Sequence, residues 1–148
     1  MKRQQLLLLI LAFGVFSILN TEMGIIGILP MAAEMYQVDI VQAGMLVSLF
    51  ALGVAIAGPT MPLLFSRFNR KHVMLLVLGV FTICNALAVV ASDFQLLLVL
   101  RVVPAFFHPV YCALAFSVAA ASVAPEDAPR AVARINMGVA AGMVVGVP

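Results

Sequence analysis

The positions of the charges constrain this chain more than any other feature. Residues 4–21, 40–66, 72–92, 102–125 and 135–148 contain no Asp, Glu, Lys or Arg, and most of each run is apolar. Roughly 20 apolar residues cross a bilayer's hydrocarbon core as a helix. With 65% hydrophobic and 9% charged residues, against about 25% charged in a soluble domain, the chain cannot cover itself with a polar surface. The 148 residues hold at most about five or six spans. Spans are expected near residues 5–29, 41–64, 72–92 and 95–122, with a fifth from about 132 to Pro148 that stops short, all within one transmembrane region over 1–148. The connections between them are short enough for hairpin loops of one bundle.

Eight bases against six acids leave a net charge of +2, too few cations for a nucleic-acid surface. Seven of the eight fall at alternate ends of the spans: Lys2 and Arg3, then Arg67, Arg70 and Lys71, then Arg130 and Arg134. The intervening loops carry Glu34, Asp39 and Asp93. The positive-inside rule puts the N-terminus in the cytoplasm. The start, MKRQQLLLLILAFGVFSILN, has the basic and leucine-rich parts of a signal peptide, but no cleavage-like site follows and apolar residues continue, so it reads as the first span.

Two ionisable residues lie inside spans, Glu22 in the first and Arg101 in the fourth. Such groups cost about 2.5–3.5 kcal/mol at membrane depth and usually pair or face a cavity. Counted from Pro30 and Asp93, each lies roughly 10–12 Å below the outer surface. A structural ion pair and a place on a transport pathway both suit them. His108, between Pro104 and Pro109, comes two turns deeper than Arg101, as a substrate or proton contact or as a hydrogen-bonded packing residue.

At 100° per residue Ser17, Asn20, Gly24 and Gly27 share a small, polar face of the first span, with Glu22 opposite. Gly44, Ser48, Ala51, Ala55 and Gly58 form a stripe on the second span, and Gly138, Gly142 and Gly146 recur at intervals of four on the fifth. These read as helix-packing faces, which bundles of every function use. On the fourth, Arg101, Ala105, His108, Cys112 and Ala115 are expected inward, with Phe106, Val110 and Leu114 toward lipid. Cys84 and Cys112 read as buried hydrophobes, without metal or disulfide spacing. No nucleophile, phosphate-loop or dinucleotide motif is present, so neither an enzyme nor a cofactor is expected.

The loop GPTMPLLFSRFNRKHV resembles the signature G-x-x-x-D-R-x-G-R-R/K of the major facilitator superfamily, matching at Arg67, Arg70 and Lys71. Pro62, Ser66 and Asn69 replace its first Gly, its Asp and its second Gly; Asn at the last suits a left-handed backbone position. LLLVLRVVPAFFHP resembles the fourth-helix signature L-x-x-x-R-x-x-Q-G of proton-coupled members, with Arg101 matching and Pro104 and Ala105 replacing the Gln and Gly. NTEMGIIGILP is similar to the first-helix end of drug/proton antiporters and arabinose-efflux-type permeases, and GMVVGVP to the start of the antiporter signature G-x-x-x-G-P, with its Pro one position late.

The resemblance implies an all-α membrane protein, the N-terminal part, about four and a half transmembrane helices, of a twelve-helix transporter built of inverted three-helix repeats. It also implies secondary active, proton-coupled efflux of a small molecule by alternating access, in a bacterial inner membrane. The partners expected are the lipid bilayer, protons, a small-molecule substrate and the missing C-terminal helices, with no metal. Glu22 and Arg101 would carry proton coupling, Asn20 and His108 would contact substrate, and Arg67, Arg70 and Lys71 would form the cytoplasmic loop signature. Two alternatives share some of these features: a four-helix-type small multidrug transporter acting as a dimer, and a non-transporting membrane assembly factor.

Overall fold

The computed structural model describes residues 2–147, with the Lys2 side chain outside that description. The expected end of the fifth span at Pro148, and the Pro of GMVVGVP, lie outside the described residues. Among the described residues the helices follow in the order α1 (Lys2–Tyr36), α2 (Ile40–Ala43), α3 (Met45–Ala57), α4 (Met61–Leu64), α5 (Arg70–Val89), α6 (Phe94–Ala121) and α7 (Ala128–Gly146), with 3-10 turns at Phe65–Arg67 and Pro125–Asp127. Among the described residues, four stretches are long and apolar enough to cross a membrane: Arg3–Tyr36, Ile40–Ala57, Arg70–Val89 and Phe94–Ala121. The polar first turns of α7, with Arg130, Arg134 and Asn136, keep it out of that set. Each helix pairs its backbone N–H and C=O groups within itself, which hydrocarbon requires because it offers no partner to an open one. Hydroxyls follow the same rule: Ser17 donates to the Phe13 carbonyl at 2.9 Å, Thr21 to Ser17 at 2.9 Å and Thr82 to Leu78 at 2.8 Å.

The boundaries differ from the sequence reading at two places. The first helix does not stop near residue 29; it runs through Pro30 to Tyr36. Pro30 is exposed, and the helix, at about 50 Å, outlasts the roughly 30 Å hydrocarbon core, so the carbonyl that Pro30 leaves without a backbone donor can be met by water or headgroups. The second span runs on through Gly44, whose N–H donates to the Ile40 carbonyl at 3.0 Å and whose carbonyl accepts from Ser48 N–H at 3.1 Å, and breaks at Gly58–Thr60, where Pro59 follows the end of α3.

After α1 the chain turns through Gln37, whose φ of 51° is the left-handed conformation usually given to glycine. Val38 N–H donates to the Ala33 carbonyl at 3.0 Å and Gln37 N–H to Glu34 at 3.3 Å, closing the helix end. A side chain costs roughly 1 kcal/mol in that conformation, so Gln37→Gly is expected to raise stability by about that much, read as a higher unfolding midpoint in detergent micelles. The loss of the 2.8 Å bond from Gln37 Nε2 to the Glu34 carbonyl is a smaller, solvent-exposed term.

The chain forms two compact units, one of residues up to Gly24 with those from Cys112 onward, the other of residues 25–111. In the first, α7 sets its glycines directly against the backbone of α1. A Cβ at Gly138 would strike the Ala12 carbonyl, one at Gly142 would sit 2.7 Å from the Phe16 carbonyl oxygen, and one at Gly146 3.0 Å from that of Asn20. Contacts advancing by four residues on both helices make them parallel. At one end of this unit Gln4 Nε2 donates to the Ser122 carbonyl at 2.9 Å, which brings the start of α1 beside the end of α6.

In the second unit α3 packs on α6 through Gly53, where a Cβ would be 3.1 Å from Ala105 Cβ. Tyr36 donates from Oη to the Ala91 carbonyl at 3.1 Å and sets its ring edge-on to Phe94, with centroids 6.3 Å apart. Asp93 Oδ1 accepts from Leu96 N–H at 2.8 Å and so caps α6.

Two expected faces differ from the ones buried within this chain. On the second span Ser48, Ala51 and Ala55 are exposed, and the buried stripe is Ala43, Leu46, Phe50, Gly53 and Ala57. Gly44 and Gly58 meet only carbonyls of their own helix turns, Val41 and Val54 foremost, so neither is a contact with another helix within this chain. Packing here is decided by dispersion, and Leu46 with Phe50 offers more contact than a stripe of Ser and Ala. On α6, Val110 is fully buried, not lipid-facing. Burial at Pro104, Ala105, Val110 and Tyr111 runs round most of that helix.

Candidate functional site

In the second unit the ring of Phe50, only 2% exposed, stands between two polar residues of α6. Arg101 Cζ lies over the ring, 4.9 Å from its centroid. His108 meets it edge-on, with centroids 6.1 Å apart and planes at 76°. Seven residues are two turns, about 10 Å along one face of a helix, so Arg101 and His108 share a face and Phe50 occupies the interval between them. The Gly53–Ala105 contact fixes the level of α3 against α6 at that interval. A guanidinium within about 6 Å of a ring gains about 0.5–2 kcal/mol, most when water is excluded. Both residues make further interactions beyond this ring.

In the first unit Glu22 and Asn20 are half-buried on α1. The backbone of Asn20 approaches Gly146, and Glu22 follows the hydroxyl ladder of Ser17 and Thr21 and is itself engaged. The structure thus brings Arg101 and His108 together on Phe50, and Asn20 together with Gly146. Phe50 is the residue that sequence reasoning missed, because an apolar residue in an apolar run carries no contrast.

The loop between the second and third spans is built around Phe65, which contacts Phe68 at 5.9 Å and Phe107 of α6 at 6.1 Å between centroids. Arg67, Arg70 and Lys71 are exposed. Asn69 is not left-handed: its φ of −62° and ψ of 119° make it the N-cap of α5, and its Oδ1 accepts from Lys71 N–H at 3.0 Å. A cap explains why Asn serves here. Asn69→Ala is expected to cost about 1 kcal/mol and Asn69→Gly only a few tenths, measured as faster hydrogen exchange at the Lys71 amide. Ser66 spends its hydroxyl on the Leu63 carbonyl at 2.6 Å. Arg70 and Lys71 occupy the first turn of α5, where the helix dipole opposes cations, so helix stability is not what these bases serve. Among the described residues no group of three or more His, Cys, Asp or Glu could hold a metal ion.

Comparison with known proteins gives a family match, described as Major Facilitator Superfamily, over residues 11–148. The inner membrane transport protein YdhP of Escherichia coli strain K12 is 36% identical over 141 residues, which are 95% of this chain and 36% of YdhP. The uncharacterized MFS-type transporter YtbD of Bacillus subtilis strain 168 is 35% identical over the same shares of each chain. The chain therefore spans about a third of the length of these relatives. No solved structure matches it.

Proposed function

Because the chain belongs to the major facilitator superfamily, we propose that it is the N-terminal part of a secondary transporter that exports a small molecule in exchange for protons by alternating access. Membership in the family, transporter-named relatives and four membrane-length apolar helices make it an integral membrane protein of transport. The observation that carries the finer reading is the pairing of an intramembrane Arg with an aromatic ring and a His on one helix face, in a chain that also holds an intramembrane Glu. In this reading Glu22 is the carboxylate that takes and releases the proton, Arg101 governs that step, and Asn20 and His108 offer polar contacts to substrate in a mostly apolar cavity.

The helix pairs support the same reading. The first span meets the fifth through glycines, and the fourth meets the second through Gly53 and Ala105. Exchanging first with fourth and second with fifth turns one pair into the other, as two three-helix repeats lending each other their second helices would give. We also place the N-terminus in the cytoplasm of an inner membrane. In the first unit the parallel course of α1 and α7, with the Gln4–Ser122 bond, gathers Arg3, Arg130 and Arg134 at one end.

The test is accumulation of sugars, nucleobases and cationic dyes by everted vesicles that hold the complete transporter. Uptake of at least one is expected to stop when the pH gradient is dissipated.

A further inference from the structure

We propose that Phe50 is a positioning residue for Arg101, holding its guanidinium on the face of the ring at one level of the seam between α3 and α6; the role rests on the transport reading of Arg101. A long, flexible cation at membrane depth can snorkel toward the nearest polar surface. An aromatic face is the only apolar surface that attracts a cation, and the attraction strengthens as water is excluded. Phe50 meets both conditions: it is 2% exposed, and Arg101 Cζ lies 4.9 Å from its centroid.

The ring is itself held. One turn along α3, Gly53 admits Ala105 of α6, with 3.1 Å between Ala105 Cβ and a Cβ built at Gly53. Ala105 lies between Arg101 and His108, and His108 also meets the ring, with centroids 6.1 Å apart and planes at 76°. A larger residue at Gly53 would push the helices apart and carry the ring away from Arg101. The second span contributes a fixed seat for the cation of the fourth without carrying a charge of its own.

The experiment labels arginine in the chain, in lipid bilayers, with the membrane-permeant reagent phenylglyoxal and follows modification of Arg101 by mass spectrometry. Phe50→Leu is expected to speed modification of Arg101 about tenfold, and Phe50→Trp to keep it slow. Trifluorophenylalanine at position 50 keeps the ring's shape while removing its negative face, so it is expected to behave like Leu. An unchanged helicity and unfolding midpoint of each variant reports that the seam is intact. Equal labelling of Arg101 in the parent chain and the trifluorinated form overturns the proposal. Transport is measured separately in the complete protein with Arg101→Ala. Lost transport there with ring-independent labelling keeps the transport reading and removes the positioning role. Ring-dependent labelling with unimpaired transport leaves the contact purely structural and overturns the proposal from the other side.

Discussion

Glu22→Gln in the complete transporter is expected to lower pH-driven export by on the order of a hundredfold, the scale of a lost proton-transferring group, while expression and membrane insertion are unchanged. Gln keeps the shape of Glu and its capacity to hydrogen-bond, but it cannot alternate between a charged and a neutral form. Residue 22 is half-buried, and Gln fits the space of Glu without added bulk. Exchange of substrate across vesicles at equal pH is expected to persist, since that half-reaction needs no net proton movement. Measuring both in one preparation separates loss of coupling from loss of the transporter. Undiminished pH-driven export by this variant would remove Glu22 from the mechanism.

The second large effect concerns packing. Gly142→Ala is expected to destabilise the chain by about 1–3 kcal/mol, the usual cost of overfilling a well-packed site. Its new methyl would sit 2.7 Å from the Phe16 carbonyl oxygen and 2.9 Å from Leu19 Cβ, and the first of these is backbone that cannot swing aside. Gly79→Ala is the control, because a Cβ there meets nothing within 4 Å; it is expected to be neutral or to stabilise by up to about 1 kcal/mol through helix propensity. Unfolding of each variant in mixed micelles by an anionic detergent, followed by helicity, gives the comparison. Equal stability of the two variants would mean that α1 and α7 do not meet through their backbones.

The helices could be read from the sequence because charge and apolar runs alternate, a contrast that survives in any bilayer. The glycines at 138, 142 and 146 were equally visible, since a period of four on an apolar helix is a face with no bulk, and the structure lays them along Ala12, Phe16 and Asn20. The second span resisted the same approach. Its stripes through Ser48 and through Phe50 both repeat at helical spacing, and lipid does not favour one apolar face over another. Only the fit of Gly53 to Ala105, which joins residues far apart in the chain, decides between them.

Pro30 misled for a local reason. Proline ends helices in water-soluble cores more reliably than near the membrane surface, where the freed carbonyl can be solvated. Asn69 misled through the family signature, in which a Gly suggests a left-handed turn. In this chain the same position is an extended N-cap, and the side-chain oxygen of Asn is what it uses. The intramembrane Glu22, Arg101 and His108 stood out as polar residues in apolar runs. Phe50, which joins two of them, did not stand out.

The most direct measurement is accumulation of a transported compound by everted vesicles bearing the complete transporter, before and after nigericin exchanges potassium for protons and abolishes the pH gradient. Accumulation is expected to collapse with the gradient, to return when an acid-inside gradient is imposed without ATP, and to fall by on the order of a hundredfold in the Glu22→Gln variant. Accumulation that survives dissipation of the pH gradient and instead follows ATP would contradict proton-coupled export.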